Sequence, residues 1–73
     1  MIMKYQNFFD VLELLKKYDT YVHVGKRLWD IEFAALEIDN MWRSGLIDNA
    51  DYAKIKLVLA HEHEVEVKRE RGY

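Results

Sequence analysis

Apolar residues recur at helical spacing along three stretches of the chain. The first follows Asn7: at about 100° per residue Phe8, Val11, Leu12, Leu15 and Tyr18 share one face, and Glu13 and Lys17 form an outward pair four residues apart. With Asn7 at the N-cap, Asp10 occupies the third helical position, where a carboxylate suits unpaired amides. The spacing predicts a helix over about 8–18. A second stretch, over about 26–44, ends at Gly45, which suits the left-handed position of a Schellman ending with Leu46 set against Met41. Asp48 and Asp51 repeat the cap pattern and open a third helix over about 49–67, carried by Tyr52, Ile55, Val58 and Leu59. Glu64–Val67 alternates like a strand but has no pairing partner, so it is read as helix, and 68–73 is expected to fray. Between the first two helices Thr20–Val24 is β-branched and aromatic and closes at Gly25. It is too short for a sheet and reads as an extended connector. The fold expected is all-α: residues 1–73 as one small three-helix bundle or array with an extended connector between helices one and two.

The second helix carries two apolar stripes. With Ile31 at the centre, Leu28, Ala34, Ala35, Ile38, Met41 and Trp42 lie within about 80° on either side and form the core stripe. Trp29, Phe33 and Leu36 form the other, about 160° away, with Glu32, Asp39 and Arg43 on one side and Asp30, Glu37 and Ser44 on the other. A helix in a triangular bundle meets both neighbours within one broad sector, so the second stripe needs a different cover. Tyr21, Val22 and Val24 of the connector, or Met1–Tyr5, would supply it from within the chain. Without that cover Trp29, Phe33 and Leu36 are a partner-binding surface, since exposed Trp and Phe are common interface anchors.

Composition narrows the chemistry. The 73 residues hold no Cys, which removes disulfides, thiolate metal sites and thiol nucleophiles together. No apolar run reaches the roughly 18 residues of a membrane span and the N-terminus lacks the apolar core of a secretory signal, so a cytoplasmic protein without membrane attachment is expected. Ser44 and Thr20 are the only hydroxyl nucleophiles of their types, and neither has a histidine at a triad-like spacing. His61-Glu62-His63-Glu64 departs from the zinc-binding HExxH pattern at Val65 and sets its histidines about 200° apart on a helix, so no metal site is expected. Instead His63 is placed at the core margin and His61 in water beside Lys54. The carboxylate pairs Asp30/Glu32 and Glu37/Asp39 are spaced two apart, on different sides of the helix, and make no acid–base dyad.

One polar cluster is more suggestive. Lys16, Lys17, Lys26 and Arg27 bracket Tyr18, Tyr21 and His23, mixing cations with stacking surfaces as single-strand nucleic-acid sites do. Lys26 and Arg27 also open a helix where acidic residues are favoured, which suits capture of an anion. Against this stands the balance of 11 Lys and Arg to 13 Asp and Glu, a net charge of −2 with no basic excess. The other arrangement pairs Arg27 with Asp19 or Asp30 and buries Tyr18 and Tyr21.

The succession DVLELLKKYDTYVHVGKR, WDIEFAALEIDNMW, SGLIDNADY and KLVLAHE, over about residues 8–64, resembles the YqgQ-like family of short proteins from Gram-positive bacteria. The resemblance implies a cytosolic three-helix fold and supplies no catalytic residue. Asp19 stands where the family pattern suggests glycine; Asp enters the left-handed region more readily than most residues, so the turn is expected to survive. The function expected is therefore non-enzymatic: a small protein-interaction module working without a cofactor, through Trp29, Phe33 and Leu36, on an unknown protein partner or on itself. The alternative is binding of single-stranded nucleic acid or a phosphate ligand through Lys16, Lys17, Tyr21, His23, Lys26 and Arg27.

Overall fold

Asn7 starts the first helix as a true cap: its side chain accepts the Asp10 amide at 3.0 Å while the Asp10 carboxylate reaches back to the Gln6 amide at 2.9 Å. The computed structural model describes residues 5–71 and holds three helices, α1 (Phe8–Lys17), α2 (Arg27–Arg43) and α3 (Asn49–Glu70). Asp48 caps α3 in the same way, accepting the Asp51 amide at 2.8 Å, whereas α2 starts at Lys26 with no side-chain cap. Both α1 and α2 end in Schellman turns. Thr20 and Asp19 donate to the carbonyls of Leu15 and Lys16, and Leu46 and Gly45 donate to those of Met41 and Trp42. Gly45 takes a φ of 79° at no steric cost, while Asp19 holds the equivalent position at 60° with a side chain that tolerates it.

The core lies where the three helices meet. Phe8, Val11, Leu14 and Leu15 of α1, Ile31, Ala34, Ile38 and Met41 of α2 and Ile55, Val58 and Leu59 of α3 are buried, joined by Tyr5 and Ile47 from the flanking segments. The α2–α3 pairing is the most extensive. On α1 the buried face is rotated from the expected one: Leu14 is buried, Leu12 is only half-buried and Tyr18 is exposed, because α1 packs into the groove of a pair and touches both helices. Glu13 pairs with Lys16 at 3.7 Å instead of with Lys17. Trp42, expected in the core stripe, stands near the end of α2 and remains 39% exposed.

The expected fraying over 68–73 is corrected for its first part. α3 continues through Lys68, Arg69 and Glu70, with pairs Lys68–Glu64 at 3.2 Å and Arg69–Glu66 at 3.1 Å, and Glu70 is tied to Lys26 at 2.6 Å. Gly72 and Tyr73 lie outside the described residues. No helix among the described residues is long and apolar enough to cross a membrane.

Candidate interaction surface

Helical geometry turns Trp29, Phe33 and Leu36 away from α1 and α3 together, since they sit about 140–160° from the buried Ile31. They are 53, 43 and 54% exposed and line up at i, i+4 and i+7 along the outer side of α2. The expected cover by the connector is not made. Val22 packs against the core, and the Val24 amide donates to the Asp30 carboxylate at 2.6 Å, which carries the connector along the Asp30 side of α2. Tyr21, 71% exposed, and Val24 point into solvent, and Tyr5 is spent on the core; Met1–Lys4 lie outside the described residues. Lys26 reaches the N-terminal end of the ridge, its Nζ 5.2 Å from the Trp29 ring centre. Asp30 and Glu37 border Phe33 on one side and Glu32 borders it on the other.

The basic cluster is brought together differently from the expectation. Arg27 pairs with Glu62 at 3.5 Å, not with Asp19 or Asp30, and its guanidinium lies 5.1 Å from the Phe8 ring centre. Glu62, Glu66 and Glu70 recur every fourth residue and so share one side of α3; the first and last face the start of α2, while the buried Glu66 is held by Arg69. Cations at a helix N-terminus oppose the macrodipole, and these α3 carboxylates offset that cost. Lys16 pairs with Glu13, whereas Lys17 and His23 are exposed. Tyr18 and Tyr21 are exposed too, so their expected burial does not occur. The connector is held down by Val22 alone of its apolar side chains, which leaves both rings outside.

A polar network the sequence did not reveal closes the α2–α3 pair. The Tyr52 hydroxyl donates to Asp39 Oδ1 at 2.7 Å and Lys56 Nζ approaches the same oxygen at 3.1 Å, with Trp42 stacked on Tyr52 at 4.5 Å and donating its Nε1–H to Asn49 at 2.7 Å. Further along, His63 Nε2 lies 3.1 Å from Glu32, beside a groove of about 280 Å³ lined by Ile31, Ala35, Leu59 and Ala60. His61 is exposed, and no group of three or more metal-ligating side chains converges among the described residues. Tyr52 and Lys56 are one turn apart, so their shared face was readable; that Asp39 meets it depends on how the two helices cross.

The Tyr52 hydrogen bond, followed by Lys56, holds the Asp39 carboxyl below its ordinary pKa against the opposing effect of burial, and Asp39 in turn raises that of Tyr52. A depressed carboxyl stabilises the fold above the ordinary value of about 3.9 and loses that contribution as pH falls through the lowered one. Asp39→Asn keeps an acceptor for Tyr52 but removes the charge. Thermal unfolding from neutral to acid pH is expected to show the variant melting below the native protein near neutrality, the gap narrowing below about pH 4. A gap independent of pH would contradict the assignment.

These features define a small all-α protein of three helices, among whose described residues no segment covers one apolar face of the middle helix. The chain belongs to the YqgQ-like family, whose model matches residues 5–65, all of α1 and α2 and most of α3. No curated protein and no solved structure gives a significant match.

Proposed function

We propose that this protein is a non-enzymatic interaction module of the cytoplasm of Gram-positive bacteria, binding a protein partner through the outer face of α2. The observation that carries the reading is the exposure of Trp29, Phe33 and Leu36 in one i, i+4, i+7 row with no described segment over them. Apolar rows of this spacing are what one helix offers to a groove or to another helix. Water around two large aromatic rings is unfavourable, and a partner that removes it gains binding energy.

The second reading, binding of single-stranded nucleic acid or a phosphate ligand, draws on the exposed Tyr18, Tyr21 and His23 next to Lys17. It loses two of its cations, because Lys26 and Arg27 face Glu70 and Glu62. Salt separates the two: phosphate contacts weaken steeply with ionic strength and apolar burial does not. The test is affinity capture from cytosol with the native protein and with Trp29→Ser/Phe33→Ser, at low and high salt. A protein retained by the native chain at both salts and lost with the variant is expected. Equal capture by both, or release of nucleic acid alone at high salt, would overturn the interaction reading.

A further inference from the structure

The charges around the ridge specify what packs on it. Asp30 and Glu37 flank Phe33 on one side and Glu32 on the other, and the stretch 29–36 contains no Lys, Arg or His. The cations nearest the ridge already face carboxylates of their own: Lys26, whose Nζ lies 5.2 Å from the Trp29 ring centre, is bound to Glu70, Arg27 to Glu62, and His63 of α3 lies 3.1 Å from Glu32, while Arg43 stands about two turns beyond Leu36. Any surface that closes over the ridge must therefore meet carboxylates on both flanks.

A second copy of this chain meets that requirement badly. Two α2 helices paired in parallel through their ridges set the Glu32 side of one against the Asp30–Glu37 side of the other. Paired antiparallel about the ridge centre, Glu32 faces Glu32 and the Asp30–Glu37 side faces its own copy. Each arrangement places acid against acid at close range, where like charges oppose association.

Resting on the interaction reading, we infer that the occupant of this face is an amphipathic helix of a different protein, with an apolar stripe bordered by Lys or Arg. Trp29, Phe33 and Leu36 contact the stripe, and Asp30, Glu32 and Glu37 meet the basic borders. The carboxylates steer the approach and select the partner, while the rings supply most of the affinity.

The experiment uses the full chain and three synthetic helical peptides of about 18 residues: a Leu stripe bordered by Lys, the same stripe bordered by Glu, and a Leu/Lys composition scrambled to abolish the stripe. Binding is followed by titration and by amide and indole NMR shifts, with sedimentation of the protein alone. The Lys-bordered peptide is expected to bind about tenfold more tightly than the Glu-bordered one, the sum of a few exposed ion pairs, with shifts centred on Trp29, Phe33 and Leu36. Glu32→Lys/Glu37→Lys should reverse that order, and Trp29→Ser/Phe33→Ser should abolish binding of both. Equal binding of the two striped peptides at the ridge would overturn the basic partner while leaving the interaction surface standing. Shifts that avoid the ridge, or equal binding of the scrambled peptide, would overturn both. A dimer of the native chain that Trp29→Ser/Phe33→Ser dissolves would replace the proposed partner with a second copy.

Discussion

Ile38→Ala is expected to unfold much of the protein at temperatures where the native chain is intact. Ile38 is fully buried on the inner side of α2, in the cluster that also holds Leu15, Ile31 and Ile55. Removing its outer carbons loses transfer free energy and leaves a cavity that three helices cannot close without moving, at a cost of about 3 kcal/mol. A domain of this size holds only about 3–5 kcal/mol in its core, so the loss takes most of it. In thermal unfolding followed by circular dichroism the midpoint should fall by roughly 15 °C, or the helical signal should be low from the start. An unchanged midpoint would mean that the three helices do not share this core.

The second large effect is on binding. A buried aromatic anchor at an interface commonly costs about 2 kcal/mol or more when truncated, so Trp29→Ser/Phe33→Ser should weaken association with a captured partner by a factor of about 100 or more. Lys26 loses its aromatic neighbour in this variant but keeps Glu70, so the start of α2 stays anchored. Titration of the purified partner with native and variant protein measures the factor. A loss of less than about threefold, under half the free energy of one ordinary anchor, would remove the ridge from the interface.

Much of this was legible in the sequence because it is local. The caps at Asn7 and Asp48 and the turn at Gly45 need only residues within one helical turn, and each is found as read, as is the turn at Asp19 with its left-handed backbone. The two stripes of α2 were also legible, since periodicity alone separates Ile31 and Ile38 from Trp29 and Phe33. What covers a stripe is a tertiary matter. The connector could be assigned to the outer face only by ignoring that Val22 is drawn into the core and Val24 to Asp30. The end of α3 was misplaced for the same reason: Glu70 gains a partner in Lys26, 44 positions away in the chain, which no local propensity reveals. Trp42 fell on the core side of the wheel, yet the wheel does not show that α2 is close to its end there, where stacking on Tyr52 replaces burial.

Whether the ridge is surface or core is decided most directly by the thermal unfolding midpoint of Trp29→Ser/Phe33→Ser beside that of the native protein. Residues that face water in the free protein have little packing to lose, and a shift of no more than about 4 °C is expected, the equivalent of roughly 1 kcal/mol or less. A fall of the size expected for Ile38→Ala would show that Trp29 and Phe33 are packed inside the molecule and would contradict the assignment of α2's outer face as an interaction surface.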